Sequence, residues 1–411
     1  MCKKIEKCRV CGNKSLVKVL DLGSQMLTGV FPGKKYAKIT SGPLSLVKCS
    51  GKNSACGLLQ LEYSYDSNEM YGENYGYRSG LNSSMVLHLQ NKIKKIIDYI
   101  KLEDNDLVID IGSNDSTTLQ SYPPNLILLG VDPTGDKFKN FYPSHISLIV
   151  DFFSSDLIIK KFNKKKAKII TSFSMFYDLE DPMSFMLDIF NVLDDDGIWV
   201  FEQSYMPLML QTNSFDTVCH EHLEFYGLAQ IKWMADKIGF NILDVELNDI
   251  NGGSFSIIVS KSKKYSQNLE SINKIIEYEK SFYLDTLKPY EIFSLSADKV
   301  KNDLLDFLNT QNAAGKKIAA LGASTKGNVL LQFCNLTEKD IFAIGEVNPD
   351  KHGKYTPGSW IPIIAEDELL SMKPDYLLVL PWHFRKFFEK NKKYTGLNLV
   401  FAFPKLEVVK L

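Results

Sequence analysis

The strongest constraint on the fold is a series of short apolar runs, most of them ending on or beside an acidic residue. Leu107-Val108-Ile109-Asp110-Ile111-Gly112-Ser113-Asn114-Asp115 reads as a buried strand breaking into a glycine turn, and Ile127-Leu128-Leu129-Gly130-Val131-Asp132 as a second strand closed by an acid. A third run, Ile146 to Val150, ends at Asp151, and Ile169-Ile170-Thr171 follows. Helical or loop segments separate them. Strands alternating with crossovers imply a parallel α/β sheet that takes its ligand at the carboxyl ends of the strands.

A chain of 411 residues exceeds one ordinary core and predicts two or three domains. Before the first strand, Val86, Leu89, Ile93, Ile96, Ile97 and Ile100 form the stripe of an amphipathic helix capped by Asn82 or Ser83. After Gly197 to Glu202 comes the densest group of titratable residues, Asp216-Thr217-Val218-Cys219-His220-Glu221-His222, and Asn251-Gly252-Gly253-Ser254 opens a strand running through Val259. The pattern turns helical from about 269 to 310, with Pro289 dividing two helices. A second strand-turn-helix unit starts at Lys317 and contains Gly322-Ala323-Ser324-Thr325-Lys326-Gly327-Asn328. The expected architecture is an N-terminal cysteine-bearing module (1–80), a central Rossmann-like α/β domain (81–265), and a helical connector with a smaller C-terminal Rossmann-like α/β domain (266–411).

Of seven cysteines, Cys2, Cys8, Cys11, Cys49 and Cys56 lie in the first 56 residues. No apolar stretch approaches the ~20 residues that cross a bilayer and the N-terminus lacks a signal-peptide core, so the chain reads as cytoplasmic and independent of membranes. In a reducing compartment clustered cysteines favour metal over disulfides. Cys8-x2-Cys11 and Cys49-x6-Cys56 supply four soft ligands for tetrahedral Zn2+, with Gly12 and Gly57 letting backbone approach sulfur. Four cysteines leave no open coordination position, so the zinc is structural. A net charge of −1, with no basic and aromatic stripe in the module, argues against a nucleic-acid partner.

Two glycine turns compete as cofactor site, and neither has the GxGxxG that seats a pyrophosphate. Asp110-x-Gly112-x-Asn114 instead offers an acidic, amide-rich rim, which suits the sulfonium and ammonium of S-adenosylmethionine (SAM). Asp132 is placed to accept from a ribose diol and Asp151 to reach the adenine amino group. A single DxG marks many structural turns; the ordered set at successive strand ends is more specific.

At this point the chain resembles, over essentially its whole length, the nucleotide-sugar C-methyltransferase family. The resemblance rests on the paired cysteines, Gly112-Ser113-Asn114-Asp115, Phe215 to His222, the Asn251 to Ser254 turn, Gly322 to Asn328, Glu346-Val347-Asn348-Pro349 and Pro381-Trp382-His383. It implies three domains, a nucleoside-diphosphate-linked 4-keto deoxysugar as substrate, His222 as base and Glu221 as its helper. Three positions depart from the family pattern: Cys219 stands where tyrosine is usual, Ser116 where glycine is usual, and Asp178 where a histidine is common. They leave the sugar and the acceptor atom open.

A ketone beside the acceptor carbon lets His222 remove the α-proton, with His220, Tyr75, Tyr77 and Asn251 as candidates to stabilise the enolate oxygen. In an extended segment His220 and His222 face opposite sides, so one of them acts. Gly322, Ser324 and Lys326 are candidates for cradling the substrate diphosphate, the competing reading being a strand-helix packing turn. The expected partner is a small nucleotide sugar and the expected state a monomer or weak dimer. The rival functions are an O- or N-methyltransferase on a sugar and a SAM-binding protein without catalysis.

Overall fold

The computed structural model describes residues 2–51, 55–70 and 77–411; Tyr75 lies outside the described residues. Three main sheets follow one another along the chain. The first combines β1 (Leu16–Met26), β2 (Ser41–Cys49) and β3 (Leu59–Leu61) as an antiparallel set. Its fourth strand is Glu224–Phe225, which pairs antiparallel with β3 (Glu224 opposite Gln60) although it belongs to a later part of the chain.

Helix α1 (Ser83–Tyr99) opens the central region, with the Asn82 side chain accepting from Ser84 N. Its Leu89, Ile93 and Ile96 are buried, each contributing up to about 1.5–3 kcal/mol. The same face carries His88 and Lys92, which clasp the buried Glu202 carboxylate at 2.5 and 3.1 Å. That carboxylate stays below its ordinary range: burial works against ionisation, and His88 and Lys92 outweigh it.

The central sheet has seven strands, β4 (Leu107–Ile111), β5 (Ile127–Val131), β6 (Ile146–Ile149), β7 (Ala167–Phe173), β8 (Leu193–Ser204), β9 (Asn241–Asn248) and β10 (Ser254–Ser260). Their spatial order is β9-β10-β8-β7-β4-β5-β6, parallel from β8 to β6, with β10 and β9 added antiparallel. The chain reverses direction of winding between β4 and β7, the place where an open sheet leaves a crevice beyond its strand ends. The expectation of a parallel sheet therefore holds for five strands of seven.

The last sheet comprises β11 (Ile318–Leu321), β12 (Ile344–Glu346), β13 (Ile363–Ala365), β14 (Tyr376–Val379), β15 (Asn398–Phe401) and β16 (Glu407–Lys410), ordered β13-β12-β11-β14-β15-β16 and parallel except for β16. Helix α2 (Lys288–Ala313) leads into it, with Pro289 in its first turn, where proline needs no hydrogen-bond partner. Leu20, Leu22, Leu44, Leu46, Leu59 and Leu61 of the first sheet share one core with α2 and the C-terminal sheet. Cys8, Cys49, Cys56 and Leu58 belong to the core of the central sheet. The N-terminal module is thus wedged against both. Among the described residues no helix is long and apolar enough to cross a membrane.

Candidate active site and zinc centre

Four thiols converge in the N-terminal module. Cys8, Cys11, Cys49 and Cys56 present sulfurs that all lie within 4.8 Å of one another, with Cys8 to Cys56 at 3.6 Å and Cys11 to Cys49 at 3.5 Å. A tetrahedral zinc with Zn–S near 2.3 Å requires sulfurs about 3.8 Å apart, so the set fits. Asn13 Nδ2 donates to Cys49 Sγ at 3.3 Å, a neutral donor that tempers the thiolate charge. Gly12 and Gly57 have φ of +70° and +73°, the turns that bring each pair together.

At the end of β4, Gly112 turns at φ +71° and its N–H donates to Val131 O at 2.8 Å. Asn114 N then donates to Asp132 Oδ2 at 2.8 Å, while Asp132 Oδ1 accepts from Thr134 N and Thr134 Oγ1. Asp132 is held at the strand end by three donors, and its carboxylate has lone pairs left for a diol. Asn114 joins the turn to the preceding segment, accepting from Ser79 N and donating to Tyr77 O. Tyr77 lies in a loop, not in the strand its alternation with Tyr75 suggests, and the residue is 49% exposed.

Asp110 departs from expectation. Its carboxyl turns into the protein, accepting from Thr171 Oγ1 at 2.5 Å, and is 2% exposed. Burial pushes its pKa up to about 7, opposed by the Thr171 and Thr118 hydroxyls. Its side chain faces Thr171 and not the rim of the turn. Asp151 is exposed and its Oδ1 accepts from Phe152 N at 2.8 Å.

The segment after Phe215 brings the two histidines to different surroundings. His222 is half-buried, its Nδ1 is 2.8 Å from Thr217 O and its ring meets Tyr177 edge-on at 4.4 Å. A carbonyl can only accept, so Nδ1 carries the hydrogen and Nε2 is the basic nitrogen. Burial pushes the His222 pKa down to about 4, with the Lys326 ammonium adding to the fall and Thr217 O opposing it. His220 instead is fully buried, with Tyr65 packed edge-on at 4.7 Å and the Gln25 and Gly42 backbone beside its ring. It faces the N-terminal sheet, which corrects its candidacy as an oxyanion donor. Glu221 packs so closely on Gly29 that a Cβ there would fall 2.3 Å from Oε1, and burial raises its pKa. Cys219 is 1% exposed.

The C-terminal turn is also corrected. Gly322 turns at φ +79°, and a Cβ there would strike the Pro381 ring at 2.7 Å. Its N–H donates to Gly345 O, Ala323 N to Glu346 Oε2, and Gly327 N to Ser324 Oγ, which caps helix α3 (Thr325–Phe333). The Gly322, Ala323 and Gly327 amides are thus engaged within the domain, which favours the packing reading for this part of the turn. Lys326 reaches across the domain boundary, donating to Asn251 O at 2.9 Å. Asn251 itself has φ +55°, and its Nδ2 is 3.4 Å from Ser174 Oγ.

Three groups that the motifs contained without a role stand beside Lys326 and Gly252. Asp216 Oδ2 accepts from Trp382 Nε1 at 2.9 Å, and burial pushes Asp216 up to about 6 against the pull of Lys326 and Trp382. His383 lies against Gly252 and is held down to about 3 by burial and the same ammonium. Asp216 and Trp382 are 166 residues apart, a pairing that no local pattern encodes.

Matches to known families follow these regions. Residues 8–71 match a zinc-binding domain, 85–245 a methyltransferase domain, and 249–404 the C-methyltransferase C-terminal domain. The chain is a SAM-dependent methyltransferase, and its four-cysteine module is a zinc site. It is 26% identical to the C-methyltransferase NovU of Streptomyces niveus over 99% of its own length and 97% of that protein's. Among solved structures, a SAM-dependent methyltransferase of Clostridium acetobutylicum is 14% identical, with 43% of this chain and 91% of that one covered at TM-score 0.33. The Synechocystis magnesium protoporphyrin IX methyltransferase with bound SAM is 10% identical, with 44% and 79% covered at TM-score 0.32.

Proposed function

We propose that the enzyme methylates a ring carbon beside the ketone of a nucleoside-diphosphate-linked 4-keto deoxysugar, through an enolate, with His222 as the base. The observation that carries this is the His222 tautomer: Thr217 O holds the hydrogen on Nδ1, leaving Nε2 to take a proton. A pKa near 4 keeps the ring neutral at physiological pH. SAM supplies the electrophilic methyl group when bound at the strand ends, with Gly112, Asn114 and Asp132 as its holders and Asp110 as the buried charge beneath them.

The half-buried Lys326 ammonium is the cation best suited to a developing enolate oxygen. Asn251 presents Lys326 through its carbonyl. The nucleotide-sugar substrate is supported by the motif resemblance, and a carbon acceptor also by the C-terminal family match. A cytoplasmic monomer or weak dimer acting on a small molecule, with no nucleic-acid partner, accords with the composition.

The test is exchange in deuterated water with SAH in the donor site and a panel of nucleoside-diphosphate 4-ketosugars. Deuterium should enter the ring of the true substrate, and His222→Ala should slow both exchange and methyl transfer by roughly 10²–10⁴-fold. Methyl transfer to oxygen or nitrogen with no ring exchange would replace the enolate reading with O- or N-methylation.

A further inference from the structure

The zinc knuckle carries a side chain whose contacts lie elsewhere. Arg9 sits between the ligands Cys8 and Cys11, yet its side chain is only 3% exposed. Its backbone N–H donates to Gln60 Oε1 at 3.1 Å, which sets the knuckle on β3. The guanidinium turns inward and spends its donors on three segments. Nη1 donates to Leu61 O at 2.8 Å and Nη2 to Ser64 Oγ at 2.9 Å, while Nε donates to Glu180 Oε2 at 3.2 Å and stands 3.7 Å from Glu224 Oε1. Ser64 Oγ donates to the same Glu180 oxygen at 2.8 Å.

Both acids belong to the segments that form the base. Glu180 follows Tyr177, whose ring lies against His222, and Glu224 is two residues beyond His222. The segments are stitched together by Leu223 N to Tyr177 O and Leu61 N to Leu223 O, both at 2.8 Å. The Glu224 side chain is fully buried and neither of its oxygens has a hydrogen-bond partner among the described residues. Arg9 is the cation beside it. A guanidinium is planar and holds its donors in a fixed fork, so it sets the spacing of the groups it binds as an ammonium on a flexible stem does not.

We propose that Arg9 is a positioning residue that couples the zinc knuckle to the catalytic segment, so that metal occupancy fixes how His222 sits against Tyr177. The kinetic consequence rests on His222 being the base; the coupling itself does not. The zinc then acts on turnover without meeting either substrate.

The test uses the full-length, zinc-loaded enzyme with SAH and labelled histidine side chains, the His222 resonance being assigned by its loss in His222→Gln. In Arg9→Ala, bound zinc and SAH affinity should stay at the wild-type level while the His222 resonance moves. On a competent 4-ketosugar nucleotide, kcat should fall on the order of 10²-fold with KM for SAM unmoved, the scale expected when a reacting group is displaced by about 1 Å. Arg9→Lys, which keeps the charge without the fork, should recover part of that loss. Chelating zinc from the wild type should move the same resonance, and chelation of Arg9→Ala should move it no further. If Arg9→Ala does not fold, the double variant Ser64→Ala with Glu180→Gln removes two partners of the fork and should give the same shift. An unmoved His222 resonance in these variants and after chelation, with only thermal stability reduced, overturns the proposal. A moved resonance in an enzyme that turns over no 4-ketosugar nucleotide supports the coupling and sinks only the substrate reading.

Discussion

Two glycine turns, one after β4 and one after β11, are built alike and end differently. In each, the glycine lies at positive φ and its N–H bonds the neighbouring strand at 2.8 Å, to Val131 O or Gly345 O. In each, an acid at the next strand's end accepts a nearby backbone N–H at 2.8 Å, Asp132 from Asn114 and Glu346 from Ala323. The difference lies in what stands over the glycine. A Cβ at Gly112 would meet the flexible Met175 side chain at 3.1 Å, whereas one at Gly322 would strike the Pro381 ring at 2.7 Å. The first turn is covered by a flexible side chain and the second by a ring of its own domain. We read the first as the ligand's turn and the second as a packing turn, a distinction that their sequences alone do not make.

The sharpest way to break the contrast is to add a methyl group to each. Gly322→Ala combines a left-handed backbone cost of about 1–2 kcal/mol with overpacking of about 1–3 kcal/mol. Thermal unfolding should register a loss of about 2–5 kcal/mol with SAH affinity retained. Gly112→Ala should carry the backbone cost of about 1–2 kcal/mol and in addition weaken SAH binding by calorimetry. If Gly322→Ala abolished SAH binding and Gly112→Ala did not, the assignment of the turns would be reversed.

A second contrast concerns the charge each turn contributes. Lys326, just beyond the filled turn, opposes protonation of His222, so Lys326→Met should raise the His222 pKa from near 4. The acid limb of kcat/KM should move upward in pH, because the imidazole then binds its proton more readily. An acid limb that stays in place would separate Lys326 from the base.

The smallest effect is expected at the open turn. Asp110 titrates near 7 because burial favours its neutral form. A cationic sulfonium nearby favours the carboxylate, so SAM binding expels a proton below that pH and strengthens as pH rises through it. SAH lacks the sulfonium charge. The ratio of SAM to SAH affinity should therefore rise between about pH 6 and about pH 8, by at most about tenfold for each unit the donor moves Asp110. A flat ratio would remove Asp110 from the cofactor's surroundings.

The sequence made the strand series, the Asn82 cap and the zinc ligands legible because each is written in local spacing. Cys8 and Cys11 share one tight turn, and acids at strand ends fall where a parallel sheet must bind ligands. Other features depend on which way a side chain turns once strands are packed. Asp110 and Asp132 look equivalent in the chain, yet one faces Thr171 inside and the other holds the Asn114 amide. Lys326 reads as a phosphate ligand until Asn251 is brought beside it from 75 residues away. The Asp216–Trp382 pair and the fork of Arg9 are products of domain packing and leave no periodic mark.

The fourth strand of the N-terminal sheet has a consequence for biogenesis. Glu224–Phe225 pairs with Leu59–Leu61, and roughly 160 residues lie between them. At synthesis rates of about 5–20 residues per second, on the order of ten seconds separates the emergence of the two strands from the ribosome. Throughout that interval the nascent sheet presents a bare edge, the kind of surface that recruits other chains. Completion of the metal-binding end of this enzyme is timed by translation of the segment that carries His222.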